Sequence, residues 1–197
     1  MSPAEEKRQL RRAIRSRLPG PEMLRAESAQ LCEVILRSEP FAKAASVAAY
    51  RPLPGEADLT PVLREVLASG RRLLLPRTEP DLQIRFCAVS SLDELQPDAW
   101  GIPSPSAELP EEEADLWLIP VCGIDPAGVR LGKGGGCYDR YGQAHPALLE
   151  RGIPVALSCQ LVPRVPREPH DLPFPRLFLP EGLFRLPDAE LYSRMTE

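Results

Sequence analysis

Histidine is scarce in this chain: there are two, His145 and His170, among 197 residues. No Ser or Cys has a nucleophile-like setting, so a histidine relay is unsupported. The five cysteines (Cys32, Cys87, Cys122, Cys137 and Cys159) form no Cys-x-x-Cys pair, which argues against a zinc site. Their odd number reads as buried free thiols in a reducing cytosol. No apolar run approaches the ~20 residues of a membrane span. The N-terminus lacks the apolar core of a secretory signal, and Glu5 and Glu6 argue against an Arg-rich transit peptide. The expected location is cytoplasmic, with no membrane partner. A basic surplus is also missing: 24 Lys and Arg against 28 Asp and Glu leave a net charge of −4. That balance gives no global field for nucleic acid. Internal repeats and low-complexity tracts are absent.

Proline, in contrast, is plentiful, with 24 residues against the usual ~5%. The prolines cluster in 103–110, 120–126 and 163–187, and intervening apolar runs mark these as rigid connections. Leu10, Ile14 and Leu18 recur at i, i+4, i+8, with Lys7, Arg11 and Arg15 as a basic stripe beside them; this is an amphipathic helix stopped by Pro19-Gly20-Pro21. A second helix starts near Pro21 or Glu22, carries Leu24, Leu31 and Ile35 on one face, and ends at Pro40. The period then changes. Strands are expected at 46–50, 72–75, 83–89 (antiparallel), 115–121, 154–158 and 177–179, with helices at 60–69 and 138–150. This alternation predicts one α/β domain over residues 1–197. Its architecture is a three-layer α/β/α sandwich with a mixed, mainly parallel sheet and an N-terminal helical pair.

The most informative stretch runs from Asp125 to Tyr141. An apolar strand leads in, Gly132-Lys133-Gly134-Gly135-Gly136 forms a flexible loop, and a helix leads out. Glycine amides at a helix N-terminus can approach an anion closely, so this is a candidate phosphate cradle. It is not a Walker A loop, because no Ser or Thr follows Lys133, nor a Rossmann fingerprint, because Cys137 stands where the third Gly belongs. The bland reading is a tight turn; Arg130, Lys133 and Arg140 beside it argue against that. Asp139 reads either as a partner of the helix dipole or, beside bound phosphates, as a Mg²⁺ ligand. Lys7 and Arg11 alone are a solvated cationic face. Glu56 lies between a strand and a helix, where open α/β sheets place ligands, although an acid at a helix start is equally ordinary there. His170-Asp171 reads by default as a surface turn, and Glu111-Glu112-Glu113 as a solvated loop.

Taken in order, several runs resemble the 5-formyltetrahydrofolate cyclo-ligase (methenyltetrahydrofolate synthetase) family. They are Lys7-Arg8-Gln9-Leu10-Arg11, Tyr50-Arg51-Pro52 with Gly55-Glu56, Gly70-Arg71 through Leu75-Pro76, Gly101-Ile102-Pro103, Arg130 through Tyr141, and Gln160 with His170-Asp171. The resemblance implies ATP-dependent cyclisation of 5-formyltetrahydrofolate to 5,10-methenyltetrahydrofolate, with ADP and phosphate released. It also implies a monomer whose partners are small molecules, ATP and a reduced folate, with Mg²⁺ as cofactor. ATP would be held by Lys7, Arg11 and the run Arg130, Leu131, Gly132, Lys133, Gly134, Gly135, Gly136, Cys137 and Tyr138, with Arg130 as the catalytic charge. Folate would meet Arg51, Glu56, Lys133, Gly134, Gly135, Gly136 and Cys137, and the metal would meet Asp139 and Asp171.

Three positions depart from the family pattern. Cys137 replaces the first Tyr of Tyr-Tyr-Asp, a residue the resemblance places against folate; Leu59 replaces a Thr; and Pro175 replaces the second Asp of a closing motif. The exchange at Cys137 leaves open a paralogue acting on another small molecule. The basic first helix leaves open a non-enzymatic binding module for nucleotide or RNA.

Overall fold

The structure, a computed structural model, describes residues 2–168, 171, 173–188 and 191; His170 therefore lies outside the described residues. The chain opens with α1 (Pro3–Ser16), started by a reciprocal cap: the Glu5 amide donates to Ser2 Oγ (3.3 Å) and the Ser2 amide to Glu5 Oε2 (2.8 Å). Next comes α2 (Pro21–Arg37). Pro40 does not end this helix, as expected from the sequence, but sits in the first turn of a separate α3 (Glu39–Lys43), where its missing N–H costs nothing; Ser38 caps that turn. The next elements are β1 (Ser46–Ala48), α4 (Thr60–Ala68), β2 (Arg72–Thr78), β3 (Ile84–Val89), β4 (Gln96–Pro97), β5 (Pro103–Ser104) and β6 (Leu116–Pro120). They are followed by β7 (Gly123–Ile124), β8 (Arg130–Leu131), α5 (Cys137–Ala144), α6 (Ala147–Arg151), β9 (Gly152–Val155), β10 (Arg176–Leu179) and β11 (Gly182–Arg185).

Seven strands form the main sheet in the order β11-β10-β9-β6-β1-β2-β3. The five inner strands are parallel, and the edge strands β3 and β11 run antiparallel. Because the sheet is covered on both sides, its central strands β1, β6 and β9 are buried almost throughout yet still alternate by face. Leu73, Leu75, Leu116 and Leu118 pack into the cluster that holds Leu31 and Ile35 of α2 and Val62 and Leu63 of α4. Leu74, Trp117 and Ile119 face Tyr141 of α5 and Leu148 of α6. Three layers result, as the pattern predicted. Each fully enclosed Leu or Ile contributes roughly 1.5–3 kcal/mol.

Two expected elements change. The helix over 138–150 is broken at His145 and Pro146 into α5 and α6, because Pro146 has no amide to continue the ladder. That break lets β9 start at Gly152, two residues before the expected strand. The thiol reading also needs correction: all five cysteines are free, but Cys122, Cys137 and Cys159 are only partly buried.

Candidate active site

The sheet order places the site. From β1 the chain moves outward to β2 on one side, while β6, β9 and β10 follow on the other. Loops leaving the carboxyl ends of β1 and β6 therefore diverge and leave a crevice at the reversal. Tyr50 and Arg51 after β1, and Pro120, Val121 and Cys122 at the end of β6, line a cleft of about 880 Å³, part of it open to solvent. A second cleft of about 770 Å³ lies beside it, lined by Arg11 and Arg15 of α1 and by Gly55 and Gln160.

The glycine loop forms one wall, and its shape begins at Asp125. That buried carboxylate accepts the amides of Ala127 (3.1 Å), Val129 (2.9 Å) and Val165 (3.0 Å), folding the β7–β8 hairpin. Gly128 completes the turn at φ +84, where a Cβ would collide with the Phe174 carbonyl. The hairpin delivers Arg130 to the cleft. The chain then passes through Gly134 (φ +111) and Gly136 (φ +67), both left-handed conformations that favour glycine. Gly136 is the N-cap of α5, and no side chain caps that helix, so its first amides are free for an anion. Outside the loop, Arg11 Nε donates to the Gly132 carbonyl (2.7 Å) and Arg140 Nη2 to the Gly135 carbonyl (2.7 Å).

Four of the cations expected at ligand are paired with a carboxylate or bonded to this loop: Lys7, Arg11, Arg130 and Lys133. Arg130 is buried and holds Asp139 at 2.6 Å. Lys133, 44% exposed, reaches Glu56 Oε1 at 3.0 Å, and the Glu56 side chain is 6% exposed. Lys7 is buried between Asp171 (2.6 Å) and Glu168 (2.7 Å). Burial acts to lower the Lys7 pKa, but hydrogen bonds and charge from Asp171 and Glu168 outweigh it and hold the ammonium above its ordinary range. Burial raises the Glu56 carboxyl; the Lys133 charge and the Leu53 amide (2.8 Å) oppose that shift without cancelling it. Burial likewise pushes the Cys137 thiol and the Tyr138 phenol up, so neither is an anionic nucleophile near neutral pH. Two buried polar atoms at this wall, Arg130 Nε and the Tyr138 hydroxyl, have no hydrogen-bond partner among the described residues. Such atoms call for an explanation, and a ligand supplies one.

The cleft brings together Arg51, Glu56, Arg130, Gly132, Lys133, Gly135, Gly136, Cys137, Tyr138 and Asp139. Arg11 lines the neighbouring cleft, and Gly134 packs toward its guanidinium. Leu131 turns its side chain away, into a cluster with Ile14 and Val129. Lys7 and Asp171 line neither cleft; they meet each other instead. Sequence reasoning missed Pro76, Thr78 and Ile84 of the β2–β3 hairpin, which form the opposite wall. Ile102 and Pro103, noticed within the family resemblance, also line it. Gln160, noticed only through the resemblance, is a buried brace: its Nε2 donates to the carbonyls of Gly55 (3.1 Å) and Val121 (3.0 Å), tying the Glu56 loop to the end of β6.

Residues 3–180 match the 5-formyltetrahydrofolate cyclo-ligase family. The chain belongs to that family. It is 30% identical over 183 residues to the 5-formyltetrahydrofolate cyclo-ligase of Escherichia coli (strain K12), covering 90% of this chain and 98% of that one. The Mycolicibacterium smegmatis cyclo-ligase is 31% identical over 191 residues, 92% of this chain and 96% of the relative. Among solved structures, the NMR structure of Aquifex aeolicus 5,10-methenyltetrahydrofolate synthetase superposes with a TM-score of 0.77 at 33% identity, covering 92% and 93% of the two chains. A synthetase from Mycoplasma pneumoniae, at 19% identity and a TM-score of 0.67, shares the fold. Cyclo-ligase membership thus rests on nearly the whole chain, the glycine loop included. In addition, no helix among the described residues is long and apolar enough to cross a membrane.

Proposed function

We propose that the protein cyclises 5-formyltetrahydrofolate to 5,10-methenyltetrahydrofolate at the expense of ATP. The observation that carries this reading is a single cleft wall presenting both a buried carboxylate, Glu56, and a glycine loop with a buried arginine, Arg130. A carboxylate in an apolar recess suits a ring rich in N–H donors, and glycine amides with an arginine suit phosphates. In the reaction the formyl oxygen attacks the γ-phosphorus and ADP departs, leaving an imidate phosphate. The neighbouring folate nitrogen then adds to the activated carbon, and the carbon–oxygen bond breaks to release phosphate. Such chemistry asks the protein for alignment and charge stabilisation.

Arg130 is the residue assigned to the charge that builds on the phosphoryl oxygens. Phosphate oxygens would replace Asp139 as its partner and satisfy the free Nε. Lys7 and Arg11 would add positive charge from α1, and residues 131–138 would supply backbone around the phosphates. Arg51, Glu56, Lys133 to Gly136 and Cys137 would meet the folate. Asp139 and Asp171 are hard oxygen donors of the kind Mg²⁺ takes one or two of beside phosphate. The absence of any cluster of three metal-ligating side chains among the described residues is compatible with that mode. A bound Mg²⁺ would neutralise phosphate charge there. A cytoplasmic, monomeric enzyme with no nucleic-acid partner completes the reading.

A paralogue acting on a different small molecule is the second reading, favoured by Cys137 in the cleft wall. Mixing protein, ATP, Mg²⁺ and 5-formyltetrahydrofolate and following the methenyl chromophore tests both. The proposal expects chromophore and ADP in equal amounts; bound ATP with no chromophore at high enzyme concentration overturns it in favour of the paralogue.

A further inference from the structure

The two clefts share a wall. Glu56, Val121, Cys122 and Lys133 line both, and across that wall Lys133 Nζ bridges to Glu56 Oε1 at 3.0 Å. The two partners are unequal. Glu56 is enclosed and fixed by the Leu53 amide on its other oxygen, Oε2. Lys133 is half-exposed on a flexible stem, with glycines on either side of it in the chain. A buried carboxylate exchanges one donor for another more readily than it goes without, because an unpaired buried charge is costly. A strongly basic, solvated ammonium moves at small cost. An N–H-rich ring that approaches Glu56 Oε1 from the first cleft competes with Lys133 for that oxygen, and an ammonium displaced from it is still carried by the glycine loop.

We propose that the Lys133–Glu56 pair couples the two substrates: folate binding at Glu56 releases Lys133 to the ATP phosphates. The inference rests on the cyclo-ligase reading and makes Lys133 a phosphate-contacting residue whose release Glu56 controls. Coupling of this kind is reciprocal, so each ligand tightens the other by the same factor. It also prepares phosphoryl transfer only when both substrates are present, because Lys133 reaches phosphate only after Glu56 has another donor.

The test is calorimetric titration of the full chain with a non-hydrolysable ATP analogue plus Mg²⁺, with and without 5-formyltetrahydrofolate. In the wild type the folate tightens analogue binding by about 5-fold or more. In Glu56→Gln the analogue alone binds several-fold more tightly than to the wild type, because Lys133 is already free, and folate adds no further gain. In Lys133→Met each ligand still binds separately and the coupling factor falls to near one. A bridge that only braced the fold would instead weaken analogue binding in Glu56→Gln. That result, or wild-type coupling retained in Lys133→Met, overturns the proposal while leaving the cyclo-ligase reading intact. Failure of both ligands to bind the wild type overturns the two together.

Discussion

The two ion pairs along the glycine loop are built in opposite senses. In Arg130–Asp139 the cation is the enclosed partner, 5% exposed against 29% for the carboxylate. In Lys133–Glu56 the carboxylate is enclosed, 6% against 44% for the ammonium. The enclosed member is the expensive one, since a buried charge must always have a partner. On the proposed function it marks what each point would receive: an anion at Arg130 and a set of donors at Glu56. The exposed member would hold the place until the ligand arrives. One stretch of chain thus presents two chemically opposite recognition points, which is what a reaction bringing a phosphate donor to an N–H-rich heterocycle requires. Lys7–Asp171 is a third case, enclosed on both sides at 8% and 6%, so the asymmetry of the other two pairs is missing there.

The largest expected effect comes from removing the enclosed cation. Arg130→Ala should lower kcat by about 10²–10³, the usual loss for one charge-stabilising donor, with the circular dichroism spectrum unchanged. Wild-type turnover in that variant would refute the placement of the phosphates. Next is Lys7→Met, which removes the cation held at 2.6 Å from Asp171. Stability should fall by about 2–3 kcal/mol, below the ~3–5 of a fully enclosed pair because Glu168 is 31% exposed. Because the Lys7 pKa is raised on folding, the contribution is fully present below the unfolded value of ~10.4 and is lost as pH climbs through the folded one. The gap in Tm between the two proteins should then be flat from about pH 6 to 9 and close only at higher pH.

Glu56→Gln inverts the usual cost of a substitution. Without a charge-assisted hydrogen bond to the ring, KM for 5-formyltetrahydrofolate should rise about 10-fold. Stability should move the other way. The folded-state pKa of Glu56 lies above its unfolded value, so this group favours folding below the unfolded pKa and loses that contribution as pH rises through the folded one. Gln carries no such penalty, and the variant should melt higher than the wild type at pH 7.5, by a margin that shrinks toward pH 5. A lower Tm at pH 7.5 would mean that the bridge to Lys133 outweighs the burial of the charge.

The sheet was legible in the sequence because its signal is local. Runs such as Leu116-Trp117-Leu118-Ile119 are apolar on both faces, and only a covered, mainly parallel strand needs that. The antiparallel edge β3 was expected too, from its alternation. β11 was not, since Gly182-Leu183-Phe184-Arg185 is short and only half-buried. At the site, the glycine loop announced itself through composition, Glu56 and Asp139 were ambiguous on local grounds, and Arg51 emerged only through resemblance. The pairing of Lys133 with Glu56 spans 77 positions and the far wall comes from a separate hairpin. No spacing rule connects either to the loop, because the connection is made by the sheet order.

Cys137 tests the smallest difference between the two halves of the wall. It follows Gly136 at the first position of α5, lines the cleft, and carries a protonated thiol where the resemblance implies an aromatic ring. Its neighbours on the opposite wall, Ile84 and Pro76, are apolar and offer a ring a surface to lie against. Restoring the aromatic should therefore act on the folate half alone. Cys137→Tyr should lower KM for 5-formyltetrahydrofolate by about 5-fold, the equivalent of ~1 kcal/mol of ring contact, while KM for ATP stays within about 2-fold. If KM for ATP fell instead, the first turn of α5 would belong wholly to the phosphates, and the folate half of the wall would have to begin at Glu56. If neither moved, the cleft would already be filled at that point by another side chain, with Tyr138, partly buried beside it and with its ring centroid 5.4 Å from the Arg130 guanidinium, the one placed to do so.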